Sequence, residues 1–182
     1  MNTRQYIFLG AIGAICFVIS FGLGSSVVAL TGIPLMGGLV HGIITGIVLT
    51  AGLKSVPKFG AAVVIWIVFS VLAIPTITLG TPGVYKVVVG IVVGLIWDIV
   101  IILFRRRDIG YILGSIIGGN SMILGTFLAA VILGLPAVEK LRSTISFLLI
   151  TGIVIQFLTG WLGVLLYRKK LSGLSLFKRL AE

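Results

Sequence analysis

Charge is what this sequence has least of. Only 10% of its 182 residues are Asp, Glu, Lys or Arg, against 59% hydrophobic residues and a mean hydropathy of +1.30. A soluble domain of this length carries far more charge on its surface, so a water-soluble globule is excluded and an integral membrane protein is indicated. Acids are scarcer still: the only carboxylate side chains are Asp98, Asp108, Glu139 and Glu182. No paired carboxylates, Ser/His/Asp set or His-Glu-x-x-His motif is present for hydrolytic chemistry, so the chain reads as no enzyme. It also lacks Gly-x-x-x-x-Gly-Lys-[Ser/Thr], and with it that route to ATP.

The single cysteine, Cys16, excludes an intramolecular disulfide, and the single histidine, His41, has no companion ligands; neither a metal nor another cofactor is expected. Strict apolar/polar alternation is missing as well, which argues against a β-barrel. What is abundant is continuous apolar sequence and 25 glycines, a composition that suits membrane helices packed closely through small residues. The length suits one bundle occupying residues 1–182, with no room for a second soluble domain.

Hydropathy and length place six spans at about 5–24, 35–53, 58–79, 84–104, 109–134 and 144–167. Arg4 ahead of the first run resembles a signal peptide superficially, but the run is too long and more spans follow, so it reads as a retained helix. The net charge of +10 sits at the ends of these runs, a topological signal rather than a nucleic-acid footprint. Arg4, Lys54, Lys58, Arg105 to Arg107 and the basic residues after Tyr167 all fall on one side. The fold class expected is therefore an all-α integral membrane bundle of six transmembrane helices with both termini cytoplasmic. The basic, apolar tail from Arg168 to Glu182 suits an amphipathic helix on the anionic inner leaflet.

The chain is organised around residues 80–108. Gly80-Thr81-Pro82-Gly83 is a turn, an apolar run extends from Val84 to Phe104, and Arg105-Arg106-Arg107 closes it. Lys86, Gly90, Gly94 and Asp98 lie at successive i+4 positions, a ridge unsuited to lipid that should face protein. About 18 Å of helix separates Lys86 from Asp98, so the two cannot share a site. Asp98 reads either as a structural hydrogen-bond or ion-pair partner or as a proton-carrying carboxylate. Pro75, near the end of the third span, predicts a kink or an early stop.

Other polar positions lie on stripes. The second span aligns Gly38, His41, Gly42, Thr45, Gly46 and Leu49; the sixth aligns Gly152, Gln156, Thr159, Gly160 and Gly163. In the fifth, Gly118-Gly119-Asn120 could loosen the helix where it lines a cavity, and Asn120 needs a partner. His41 is either a ligand contact or hydrogen-bonded between helices, and Lys86 either snorkels or charges the mouth of an outer pocket. Gly10 and Ala14 form a small-xxx-small pair, for ordinary bundle packing or for docking a separate membrane subunit.

Six short-looped helices in 182 residues, termini on the basic side, Gly10 and Ala14 at i, i+4 and no energy-coupling motif form a recognisable combination. The chain resembles the substrate-binding membrane subunits (S components) of energy-coupling factor (ECF) vitamin transporters. The text Pro82-Gly83-Val84-Tyr85-Lys86 through Gly90, Gly94 and Asp98 looks like the Gly-rich helix with an inner-end Asp that such proteins often carry; their first helix usually has alanine where Gly10 stands. The resemblance implies a high-affinity binder of a small-molecule substrate in a prokaryotic plasma membrane. Its transmembrane coupling subunit and ATPase subunits are separate chains. Substrate-binding candidates, chosen by outer depth, are His41, Tyr85, Lys86, Asn120 and Gln156, and the partner interface candidates are Gly10 and Ala14. A nickel or cobalt substrate is disfavoured by the lone histidine, whereas a small heterocycle such as a thiamine-type vitamin or precursor suits aromatic and amide groups. Two alternatives from other classes are a proton-coupled carrier, which needs Asp98 or His41 to titrate, and a structural membrane subunit, which needs no pocket.

Overall fold

Apolar runs bounded by Gly, Pro and Arg become helices, and in the computed structural model every regular element among the described residues is helical. The structure describes residues 1–32, 34–77, 80–134 and 138–181, with the side chains of 28, 34–41, 139–141, 176, 179 and 181 outside that description. Helix α1 (Thr3–Ile19) passes through a π-helical turn, Ser20–Gly24, into α2 (Ser25–Thr31). There follow α3 (Pro34–Ser55), α4 (Ala61–Ala73), α5 (Tyr85–Leu103), α6 (Asp108–Ile132) and α7 (Val138–Leu166), and after a second π turn α8 (Ser175–Ala181).

Among the described residues four helical segments are long and apolar enough to cross a membrane: Thr3–Thr31, Tyr85–Leu103, Asp108–Ile132 and Arg142–Leu171. The expected third span is shorter than its hydropathy suggests. α4 has 13 residues, about 20 Å at the helical rise, and stops at Ala73 with Ile74 as its C-cap. Pro75 has no N–H to continue the ladder, so the early stop is the outcome of the two the sequence allowed.

Packing neighbours form a closed ring: α1 lies on α4, α4 on α5, α5 on α6, α6 on α7, α7 on α3, and α3 returns to α1. In lipid such contacts gain little from the hydrophobic effect and rest on close van der Waals approach, so the glycines set the spacing. A Cβ on Gly94 would lie 2.6 Å from Val63 Cα, and one on Gly13 would lie 2.6 Å from the Ile65 carbonyl oxygen. The Lys86, Gly90, Gly94, Asp98 ridge is buried as expected, against α4.

The two charges on that ridge hold the short helix at its ends. Asp98 Oδ2 accepts from the main-chain N–H groups of Gly60 (3.0 Å) and Val63 (3.3 Å), and Oδ1 from that of Ala62 (3.3 Å). At the other end Lys86 Nζ donates to the carbonyls of Ala73 (2.9 Å) and Thr76 (2.6 Å). An acid at the N-terminus and a cation at the C-terminus match the helix dipole and satisfy groups that a helix leaves unpaired. Asp98 thus takes the structural role of the two the sequence left open.

At the basic end, α3, α6 and the end of α7 are tied by ions. Lys54 pairs with Asp108, Arg168 Nη1 lies 3.1 Å from the other Asp108 oxygen, and Lys54 Nζ sits over the rings of Tyr111 and Tyr167. The α5–α6 turn is tight: Arg106 N–H reaches the Ile101 carbonyl and Arg105 N–H the Ile102 carbonyl, the paired bonds of a Schellman C-cap. Arg105 and Arg106 take φ of 52° and 56°, where glycine is usual. α8 folds back on α1, where buried Gln5 Nε2 donates to the Leu180 carbonyl at 2.7 Å and Phe8 meets Phe177 edge-on. Gln5 is itself fixed by a reciprocal cap with Asn2, so the chain's two ends meet at the same end of the bundle.

Candidate functional site

The ring of helices encloses a cavity of about 60 Å³, reached by α1, α3, α4, α5, α6 and α7. Its wall is apolar and aromatic on one side, where Trp66, Phe69 and Trp97 stand, and small on the other, where Gly42, Gly46, Gly119 and Gly152 lie. The hydroxyl and amide side chains on the wall are Thr45, Thr126 and Gln156, and no charged side chain lines it among the described residues. A mostly apolar concavity with a few convergent polar groups is the usual form of a small-molecule site.

Gln156 is the best-supported polar group in it. Ser115 Oγ donates to Gln156 Oε1 at 2.9 Å, which turns the amide nitrogen away from α6 Ser115. A Cβ on Gly46 would meet Thr159 Oγ1 at 2.5 Å, so that glycine makes room for Thr159. Two others make room for Gln156: a Cβ on Gly42 would lie 3.3 Å from Nε2, and one on Gly119 2.5 Å from Cδ. Alanine at these positions would press on the amide, so the small stripes of α3 and α6 clear space for a polar group projecting from α7.

Asn120 lies just outside the wall. Its Nδ2 donates to the Ile116 carbonyl at 2.8 Å, its Oδ1 is buried with no partner among the described residues, and a Cβ on Gly152 would stand 2.9 Å from that oxygen. The Gly-Gly-Asn sequence does not loosen α6, which is continuous from Asp108 to Ile132. Its glycines serve contacts: Gly118 receives the indole edge of Trp97 and Gly119 admits Gln156.

The other sequence candidates are dispersed. Lys86 is 1% exposed and committed to the α4 carbonyls, so it does not supply charge to the cavity. Tyr85 donates its hydroxyl to the Thr81 carbonyl at 2.9 Å and borders a separate apolar groove between α5 and α6. His41 belongs to α3, but its side chain lies outside the described residues. Gly10 and Ala14 are half-buried at the edge of the α1–α4 contact, where a Cβ on Gly10 would meet Val68 at 4.0 Å. Of the four binding candidates whose side chains are described, only Gln156 lines the cavity, with Asn120 beside it.

Sequence reasoning passed over Trp66, Phe69 and Trp97. Each sits in an unbroken apolar run, where an aromatic ring reads as core until the helices are arranged in space. The α3 stripe was a usable signal, since Gly42, Thr45, Gly46 and Leu49 all reach the cavity.

No protein-family description matches the chain, and no curated protein matches it. Among solved structures, a crystal structure of an S-component of an ECF transporter aligns with a TM-score of 0.63 over 99% of this chain and 93% of that one, at 22% sequence identity. The likeness is one of fold: the chain carries the S-component architecture, all-helical and membrane-spanning.

Proposed function

We propose that this chain is the substrate-binding subunit of an uptake system, capturing a small molecule in the central cavity and relying on separate transmembrane and ATPase subunits for energy. The observation that carries the proposal is the cavity itself, ringed by six helices in an S-component fold and fitted with an oriented amide. A purely structural subunit has no use for two glycines arranged around a half-buried glutamine. Asp98, fully engaged by three α4 N–H groups, is poorly placed to carry protons for a self-sufficient carrier. The substrate class proposed is a vitamin or vitamin precursor.

The test has two arms. Purified protein alone should bind a small molecule, seen as a rise in its thermal midpoint, because a ligand that binds only the folded state stabilises it. Cells lacking the ATPase subunits should then fail to accumulate that molecule. Uptake by liposomes containing this chain alone would overturn the partner-dependent reading in favour of a carrier.

The topology proposed is a single domain of six crossings in a prokaryotic plasma membrane, bathed in its lipid, with both termini in the cytoplasm. Its support is the basic bias shared by Arg4, Lys54, Lys58, Arg105 to Arg107 and Arg168. In whole cells, an impermeant thiol reagent should label cysteines introduced at Thr31 or Gly134 in a Cys16→Ala background, and should not reach Lys58 or Arg106. The reverse pattern would invert the chain in the membrane.

A further inference from the structure

We infer that the molecule held in the cavity is uncharged, built on one small ring, and recognised through an acceptor that takes a hydrogen bond from the Gln156 amide; this rests on the reading of the cavity as the substrate site. Charge is the first discriminator. An ion buried without a counter-ion forfeits hydration that a neutral molecule does not. No charged side chain lines the cavity among the described residues, and the two buried charges closest in sequence to its wall, Lys86 and Asp98, are bound to the α4 main chain. A buried anion has no counter-ion on this wall and a cation finds only aromatic faces in place of one, so a neutral molecule gives up least on entry.

Size is the second. A cavity of about 60 Å³ has room for on the order of four waters. That is the scale of a single small ring, and a fused or extended ring system would have to displace the walls or reach out of the cavity. Hydrogen bonding is the third. Ser115 occupies Gln156 Oε1, while among the described residues Nε2 has no partner, and the space cleared beside it by Gly42 and Gly119 is cavity wall. The amide therefore offers donors, which a carbonyl or a ring nitrogen accepts. A neutral azine or cyclic amide with an acceptor for the Gln156 amide and flat faces for the tryptophans meets all these conditions.

The experiment uses the full chain purified in detergent, with thermal midpoint and tryptophan fluorescence as readouts. One probe set is nicotinamide, cytosine and uracil, neutral single rings with acceptors and donors. The second is nicotinate, 1-methylnicotinamide and riboflavin, which are anionic, cationic and fused-ring respectively. The expected result is saturable quenching and a raised midpoint with at least one member of the first set and none of the second. Gln156→Leu should weaken that binding tenfold or more, and Ser115→Ala, which frees the amide to turn, severalfold. Gel filtration reports whether Gln156→Leu folds, and Gln156→Met serves in its place if it does not. Binding confined to the second set, and abolished by the cavity-filling Gly42→Leu, would overturn the inference and leave the binding-subunit reading standing. Binding of a neutral ring unaffected by Gln156→Leu and Gln156→Met would remove the amide from recognition. Silence from both sets, with uptake unchanged in Gly42→Leu, would sink the cavity as a substrate site altogether.

Discussion

Asp98→Ala and Lys86→Met should each prevent this protein from being recovered folded, or lower its thermal midpoint far more than any substitution on the lipid-facing side of α5. Asp98 satisfies three main-chain donors at the start of α4, and Lys86 satisfies two carbonyls at its end. Removing either leaves buried polar groups without partners, at about 1–3 kcal/mol per group. Even partial relaxation leaves a loss of roughly 3–5 kcal/mol, the size seen when one side of a buried charged contact is deleted. Of the six helices in the ring α4 is the one least able to absorb it, since at 13 residues much of its main chain is terminal.

Asp98→Asn sharpens the test. It keeps one acceptor oxygen but turns an NH₂ group toward N–H donors, so it should fall between wild type and alanine. Because Lys86 and Asp98 are about 18 Å apart along α5, losses from Lys86→Met and Asp98→Asn should add within a few tenths of a kcal/mol. Differential scanning fluorimetry on the two single variants and the double variant measures this. Wild-type midpoints for Asp98→Ala and Lys86→Met would mean that α4 is held by packing alone. Val88→Ala, at an exposed position of the same helix, supplies the lipid-facing control.

The ridge that carries these two charges was legible in the sequence because i+4 spacing is a local property. So were the second, fourth and fifth expected helical segments to within a few residues, and the protein-facing side of α5, whereas the first runs on to Thr31 and the sixth starts earlier, at Val138. The roles along the ridge were not legible. Whether Lys86 charges a pocket or caps a helix depends on where α4 ends, and that is set by Pro75 and by the approach of α5 through Gly90 and Gly94. The site was legible only in part for the same reason. Outer depth put Tyr85, Lys86, His41, Asn120 and Gln156 in one group, yet depth fixes only one coordinate. The angle around each helix separated Gln156, which looks inward, from Tyr85, which borders the groove between α5 and α6. Hydropathy hid the tryptophans, since a ring lining a cavity and one filling a core have the same neighbours in the chain.

The same distinction between neighbours in sequence and neighbours in space decides what the first helix does. Gly10, Gly13 and Ala14 lie within five residues, but only Gly13 touches the α4 backbone closely, with its missing Cβ 2.6 Å from the Ile65 carbonyl oxygen and 3.1 Å from Val68 Cβ. Gly13→Leu must therefore push α1 off α4, breaking the ring and the cavity wall at Cys16; folding, binding and uptake should be lost together. Gly10 stands at the rim, with ordinary 4.0 Å clearance to Val68, and Ile7, Ile15 and Val18 beside it are 67%, 49% and 66% exposed. A leucine there has room to turn outward, where it would hold a partner's backbone away and forfeit the close contacts that drive helix association in lipid. On the proposed function, Gly10→Leu should cut uptake at least tenfold and abolish co-purification of the coupling subunit, while ligand affinity stays within about twofold of wild type. Ala14→Leu should do the same if the docked helix runs along both positions. Equal loss of binding and uptake in Gly10→Leu would assign that edge to the bundle's own packing, and full uptake would place the partner elsewhere on the protein.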